Sequence, residues 1–192
     1  MADYFFLGIV SFVINIVPIL MPPTWVVLAL AKINDPSFNP FLLALVGAIA
    51  SSLGRAVLTF YSSFFRRFFN QKLKARASEI KNFFDRKRKA VFFGSFIFAL
   101  GPIPSNLLFI ASGLTKIKVK PLFAGFFLGR FVSYFFLIII SQSLFSAVEQ
   151  YTGNASFLKL CFDAVGILAA FLFLFIDWKE IMHHAKTFSK SI

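Results

Sequence analysis

Three charged residues lie within apolar stretches of the sequence and are its first candidates for chemistry. Arg55 and Arg130 each stand in a long run that holds no other charge, and Asp163 is a carboxylate inside a later apolar run. A charge at membrane depth costs roughly 2.5–3.5 kcal/mol on insertion scales and usually faces a bundle interior or a water-filled cavity. The arginines could attract an anionic headgroup or phosphate, or they could cap backbone carbonyls or pair with an acid. Asp163 could be that acid, carry a proton, or lie at the membrane interface.

The rest of the sequence holds no residue pattern typical of an enzyme. His183 and His184 are adjacent in a polar tail and point different ways on a helix, so they form a poor metal pair. Cys161 is the single cysteine, and the chain has neither a glycine-rich phosphate loop nor a Ser–His pair within its apolar runs. We therefore expect no catalytic activity, no metal and no cofactor.

The elements that must position the two arginines are predicted to be membrane helices. Of the 192 residues, 58% are hydrophobic and 15% are charged, against about a quarter charged in soluble domains. Five apolar segments can be outlined, at about 4–31, 40–65, 90–115, 121–148 and 158–176. A bilayer core needs about 20 apolar residues of helix, and so short a chain cannot bury five such helices in a soluble core. We expect one membrane domain over residues 1–192.

Two of these segments are interrupted by prolines, which remove a backbone donor and clash with the preceding turn. The prolines are Pro18, Pro22 and Pro23 in the first segment, and Pro102 and Pro104 in the third. Each segment is either a kinked full span or a re-entrant hairpin that returns to its own side of the membrane. For the segment at 90–115, the basic linker at 116–120 favours the second alternative, because it then shares a side with the basic loop at 66–89. The linker after the first segment, from Lys32 to Asp35, is neutral and favours neither alternative.

A short internal repeat follows each interrupted segment. The nine residues from Leu53 match the nine from Leu128 at five positions, including Leu-Gly-Arg. Inverted repeats with interrupted helices are the architecture of many transporters. We predict an all-α integral membrane protein with two inverted repeats, at about 4–65 and 90–148. Each repeat is a re-entrant broken helical hairpin followed by a transmembrane helix. A C-terminal transmembrane helix at 158–176 and a polar tail at 177–192 complete the chain.

The basic segment at 66–89 holds ten of the 20 basic residues of a chain with a net charge of +12. Its apolar residues recur at helical spacing, whereas its last four residues before Ala90 are all basic. The expected membrane-surface residues are Phe69, Leu73, Ile80, Phe84, Arg86, Lys87, Arg88 and Lys89. We predict an amphipathic cytoplasmic helix on anionic lipid headgroups rather than a nucleic-acid site, with a solvated loop as the alternative.

The chain resembles the DedA family, also called the VTT or SNARE-associated Golgi protein family. The resemblance covers roughly residues 15–150 and is carried by the stretch from Gly101 through Pro102, Pro104, Ser105 and Asn106 to Gly113. Asn39-Pro40, leading through Gly47 and Gly54-Arg55 into an apolar run, carries it as well. It implies two opposed re-entrant hairpins and movement of phospholipids or polyprenyl phosphates between leaflets.

These observations predict a lipid translocator in which headgroups slide along a polar seam where the two hairpins meet. The expected substrate path comprises Pro22, Pro23, Thr24, Arg55, Pro102, Pro104, Ser105, Asn106, Gly113, Arg130 and Asp163. The alternatives are a secondary transporter of small ions or drugs and a membrane organiser that does not transport. The expected partners are membrane lipids with anionic headgroups, and a homo-oligomer is left open. The expected location is a prokaryotic plasma membrane, with residues 66–89 and the C-terminus in the cytoplasm.

Overall fold

The fold is described from a computed structural model of the chain. It describes residues 2–17, 22–65, 67, 71, 82, 85–101, 105–115, 119–153, 156–157, 159–161 and 164. Six helices lie within these residues: α1 (Ala2–Ile16), α2 (Thr24–Asn34), α3 (Pro40–Phe65), α4 (Arg88–Leu100), α5 (Asn106–Thr115) and α6 (Val119–Thr152). The predicted all-helical class is confirmed for this part of the chain, which contains no β-strand.

The first and third apolar segments are each divided into two short helices at their prolines. α1 ends at Ile16, shortly before Pro18, and α2 begins directly after Pro23, whose extended backbone (φ −60°, ψ 126°) suits the residue before a helix. α4 ends at Leu100, and Gly101-Pro102 follows. The predicted interruptions are therefore present. Pro102 and Pro104 themselves lie outside the described residues.

The second and fourth apolar segments form the two long helices. α3 begins at Pro40, where the Asn39 side chain accepts the backbone N–H of Phe41 at 2.9 Å and caps the first turn. α6 ends before Gly153, which takes a left-handed backbone (φ 66°). Pro40–Phe65 and Lys120–Gln150 are long and apolar enough to cross a membrane. The other four helices have 10 to 15 residues and fall short of the roughly 20 that a full span needs.

Many large apolar side chains of the described residues lie on the surface, and several polar side chains are buried. Phe60 is 77% exposed, Phe5 72% and Ile97 67%, whereas Ser11 and Ser51 are fully buried. Water would penalise such an apolar surface, whereas lipid chains would not. This arrangement agrees with the hydropathy of the two long helices.

The long helix α3 runs parallel to α1, and the long helix α6 runs parallel to α4. Glycines allow the two helices of each pair to pack closely. Gly8 of α1 lies beside Val46 of α3, and Gly54 of α3 lies beside Phe12 and Asn15 of α1. The second half of the chain repeats this pattern. A Cβ atom on Gly125 would meet the Phe92 carbonyl, and one on Gly129 would meet the Phe96 carbonyl, both on α4. Thus α1 follows α3 and α4 follows α6 in the same direction.

The remaining short helices pack across the molecule, each on the long helix of the other half. Leu28 of α2 lies in one apolar cluster with Tyr134 and Ile138 of α6. In the reciprocal contact, Phe109 and Gly113 of α5 lie against α3. The long helices run in opposite directions, since Ala44 clusters with Ile138 whereas Leu58 clusters with Leu122.

These directions give the bundle two distinct ends. At the turn end, the start of α1 meets the loop between α2 and α3, where the Tyr4 hydroxyl accepts the Asn39 N–H at 2.8 Å. Lys32 donates there to the carbonyls of Pro36 and Phe38 at 2.6 and 2.7 Å. Hydrogen bonds from Ser37 lower the pKa of Asp35 in the same loop.

The basic end lies at the opposite pole. It contains the end of α3 and the starts of α4 and α6, because Val91, Leu58 and Leu122 share one apolar cluster. Its exposed cations within the described residues include Arg67, Arg86, Lys87, Arg88, Lys89 and Lys120.

Several predicted elements lie largely outside the described residues. These are the helix at 66–89 with Phe69, Leu73, Ile80 and Phe84, the span at 158–176 with Asp163, and the tail at 177–192.

Candidate functional site at the first helix break

A buried amide lies at the end of α1 and connects three helices. Asn15 is 3% exposed, and its Nδ2 donates to Thr24 Oγ1 at 2.8 Å and to Ser51 Oγ at 3.1 Å. The same atom lies 2.7 Å from the Ser11 carbonyl. Because an amide nitrogen carries two hydrogens, it cannot satisfy all three acceptors fully at once. Asn15 therefore ties together the two sides of the first break, α1 and α2, and the long helix α3.

The hydrogen bonds continue to the second half of the chain. Ser51 Oγ lies 3.0 Å from the Tyr134 hydroxyl of α6, and both residues are almost completely buried. This pair connects the two long helices at the level of the first break. We call Asn15, Thr24, Ser51 and Tyr134 the central network.

Arg55 adds a buried charge one turn beyond Ser51 on α3. Its Nη1 donates to the Asn15 carbonyl at 3.1 Å, at the end of α1, where helix carbonyls have no partner within the helix. The residue is 8% exposed, and its Nε has no acceptor among the described residues. The carbonyl cap that the sequence offered as one role for an arginine is thus present at Arg55.

Arg130 occupies the corresponding position on α6 but makes different contacts. Its guanidinium carbon lies 5.3 Å from the ring centre of Phe126 and 5.8 Å from that of Tyr134. Within the described ranges neither guanidinium has a carboxylate partner, so two positive charges face the central network uncompensated there.

The second break is lined differently. Ser105, just before α5, is 1% exposed, and its hydroxyl finds no hydrogen-bond partner in the described part of the chain. Asn106 is the half-buried first residue of α5. At the far end of that helix, a Cβ atom on Gly113 would overlap the Thr59 carbonyl of α3. Gly113 therefore permits direct contact between the α5 and α3 backbones.

The structure brings together some of the predicted path residues. Thr24, Arg55 and Arg130 lie in or beside the central network, and the half-buried Pro22 and Pro23 directly precede Thr24. Ser105, Asn106 and Gly113 belong to the second break and its helix. Pro102, Pro104 and Asp163 lie outside the described residues. Arg86, Lys87, Arg88 and Lys89 are exposed at the basic end, remote in sequence and place from the network.

Sequence reasoning missed the residue at the centre of the network. Asn15 is the single amide side chain in the run at 4–31, and a polar group in such a run is costly without a partner. A lone amide in an apolar run is therefore a feature by which Asn15 can be identified from the sequence. Ser51 and Tyr134 gave no comparable signal, because hydroxyl groups are common in membrane helices and hydrogen-bond locally.

The described residues offer no metal site, since no group of three His, Cys, Asp or Glu side chains comes together among them. The network instead supplies hydroxyl, amide and guanidinium groups, which together can bind an anion. Searches against family models, curated proteins and solved structures found no match to the chain. The resemblance to the DedA family stays a prediction.

Proposed function

We propose that the chain is an integral membrane protein built of two inverted units, α1–α3 and α4–α6. In each unit the two short helices form a re-entrant hairpin and the long helix crosses the bilayer. The exposed apolar side chains and the opposite directions of α3 and α6 support this arrangement. The hydrogen bond between Tyr4 and Asn39 also supports it, because it places the end of α2 at the same end of the molecule as the start of α1.

The basic end faces the cytoplasm in this proposal, following the bias of Lys and Arg towards the inner side. The N-terminus and the turn end then face outward. The proposed location is the plasma membrane of a prokaryote. Cysteine labelling at positions 37 and 87, in a Cys161→Ser background, would test the sidedness. Labelling of both positions from the same side would contradict the two-unit topology.

We propose that the protein moves lipids between the leaflets and that Arg55 and Arg130 attract the anionic headgroup. The observation that carries this proposal is the pair of guanidinium groups at the central network without a carboxylate among the described residues. Two charges without a carboxylate partner among the described residues are costly at this depth, and a phosphate would offset that cost through charge-assisted hydrogen bonds.

The path suits a lipid because the headgroup and the acyl chains meet different surfaces. Beside the central network, Arg130 has neither a carbonyl nor a carboxylate partner among the described residues, and Arg55 Nε has no acceptor there, so both can donate to phosphate oxygens. The apolar exterior leaves the acyl chains in the bilayer. No energy source is needed for exchange in both directions, so the simplest activity is scrambling.

The experiment is reconstitution into liposomes that contain a fluorescent anionic phospholipid, followed by quenching from outside. Faster exchange than in protein-free vesicles is expected. The matched variants are Arg130→Gln, which removes a central charge, and Phe60→Leu, which changes a highly exposed residue. Exchange at the protein-free rate would eliminate this function.

A secondary transporter of small anions is the second candidate, favoured by the near-complete burial of Ser51 and Tyr134. An enclosed site suits a small solute better than a headgroup attached to chains. Uptake of radiolabelled phosphate into the same liposomes, without lipid exchange, would select this candidate. We propose no enzymatic activity for the protein.

A further inference from the structure

The two cross-molecule contacts have equivalent places in the two units but differ in chemistry. The α3–α5 contact includes the buried Phe109 and Leu58, and it also holds a row of buried small residues, most of them with hydroxyl groups. This row, which we call the hydroxyl seam, contains Thr59, Ser62, Ser112, Gly113 and Thr115. The α2–α6 contact contains Leu28, Ile33, Tyr134, Ile138 and Phe145, also all buried; we call it the apolar seam.

The hydroxyl seam is continuous with the central network. Ser51, Arg55, Thr59 and Ser62 follow one another on α3 at intervals of three or four residues, which places them along one face of the helix. All four are buried. The face therefore carries polar groups from the level of the first break towards the basic end.

Parting the hydroxyl seam would break few hydrogen bonds. Thr59 Oγ1 donates to the Arg55 carbonyl at 2.8 Å, and Ser112 Oγ donates to the Phe109 carbonyl at the same distance, each within its own helix. The bond across the seam, from Thr59 Oγ1 to the Phe109 carbonyl, is long at 3.4 Å. The side chains nearest Gly113 are small, so no large group interlocks there.

The apolar seam has the opposite character. Leu28 and Ile138 are fully buried and pack with Leu43 and Tyr134. Separating these side chains would expose large apolar surfaces, and the Tyr134 hydroxyl already contacts Ser51. The packing of these side chains therefore favours a closed α2–α6 contact.

We propose that headgroups pass between the central network and the basic end along the hydroxyl seam, while the apolar seam stays closed during this step. This inference rests on the proposed lipid translocation and specifies the route between the central network and the leaflet at the basic end. Thr59 and Ser112 are its contact residues, and their hydroxyls turn from helix carbonyls to phosphate oxygens as α5 moves away from α3.

The experiment measures lipid exchange in liposomes for Thr59→Val, which keeps the shape of the side chain and removes its hydroxyl. The matched control is Thr152→Val. Thr152 is exposed and makes the same type of bond, to the carbonyl four residues earlier, at 3.0 Å. Ile138→Val serves as the control in the apolar seam. Thermal unfolding of each variant in detergent reports its structural effect separately.

Thr59→Val should slow exchange about fivefold, and Thr59→Val with Ser112→Ala should slow it more than about tenfold, because each change removes a hydrogen bond to the headgroup. Both controls should keep the unmodified rate within about twofold. Equal rates for Thr59→Val and Thr152→Val would overturn the seam assignment while leaving translocation intact. Absence of exchange by the unmodified protein would remove translocation and the assignment together.

Discussion

The first and second helix breaks share a backbone arrangement but differ in the side chains that fill it. Gly54 and Gly129 each lie against the end of a short helix, beside Phe12 and Asn15 in one half and Phe96 and Ala99 in the other. Asn15, the centre of a hydrogen-bond network, thus has Ala99 as its counterpart. When the two Leu-Gly-Arg sequences are aligned, Ser51 corresponds to Phe126, which is fully buried and packs edge-on against Phe109 at 4.7 Å.

The carbonyl at the end of each first short helix also receives a different cap. Arg55 donates to the Asn15 carbonyl at 3.1 Å, whereas the Ser133 hydroxyl lies 3.4 Å from the Ala99 carbonyl and 3.2 Å from the Arg130 carbonyl of its own helix. The Arg130 guanidinium lies against the rings of Phe126 and Tyr134. One arginine therefore closes a helix end, while its counterpart has no carbonyl or carboxylate partner among the described residues.

The largest expected effect comes from removing the two equivalent glycines. A Cβ atom at Gly54 would lie 2.8 Å from the Phe12 carbonyl oxygen, and one at Gly129 would lie 2.6 Å from that of Phe96. Gly54→Ala and Gly129→Ala should each destabilise the protein by about 3 kcal/mol, because a backbone carbonyl cannot move aside as a side chain can. Thermal unfolding in detergent measures this. Gly94→Ala, where the added carbon meets nothing within 4 Å, is the control. A tolerated change at only one of the two sites would show that the units are not equivalent.

The next effect concerns Asn15 and its counterpart. Asn15→Ala should cost about 2 kcal/mol, because Thr24 and Ser51 lose the donor they share. Ala99→Asn places an amide at a position that is 0% exposed and should also destabilise the protein. The same unfolding measurement applies. If Ala99→Asn proved neutral, the second break would have polar partners of its own, and the contrast between the breaks would weaken.

Substitutions of the two arginines should affect the stability of the protein and its lipid exchange differently. Arg130→Gln is expected to slow lipid exchange about tenfold with little change in unfolding temperature, because its charge is free to bind a ligand. Arg55→Gln should lower both quantities, since it also removes the cap on α1. Parallel exchange and unfolding measurements on both variants test this. Equal losses of stability in the two variants would contradict the division of roles.

The smallest effect is expected at the bond between the long helices. Tyr134→Phe removes one hydroxyl from a buried pair and should cost about 1 kcal/mol. Tyr61→Phe, at a residue that is 65% exposed, should leave stability unchanged. Thermal unfolding in detergent compares the two. A neutral Tyr134→Phe would show that the Ser51 contact adds no stability.

Much of the fold could be predicted because apolar length and proline act locally. The predicted segment at 40–65 has the bounds of α3, and the predicted segment at 121–148 lies inside α6. The proline clusters correctly predicted where the other two segments divide. The reciprocal packing of α2 on α6 and α5 on α3 could not be read from the sequence, since it depends on contacts between residues far apart in the chain, such as Thr59 and Phe109, which are 50 positions apart.

The candidate site was less predictable than the fold. Charge alone singled out Arg55 and Arg130, because an arginine in an apolar run is conspicuous. The sequence left the function of Arg55 open between ligand and cap, and only the position of the Asn15 carbonyl relative to α3 shows the cap. Ser51 and Tyr134 are part of the site because their hydroxyl groups meet between α3 and α6. The spacing of residues along one helix does not reveal such a contact.

The cap on α1 has a consequence for how the chain is assembled during synthesis. The Asn15 carbonyl receives its donor from a residue 40 positions later, so the first short helix stays incomplete at its inner terminus until α3 has emerged from the ribosome. The opening hairpin therefore gains its full stability only once its own long helix is present, and a chain truncated before Arg55 should hold this hairpin less stably than a chain that includes α3.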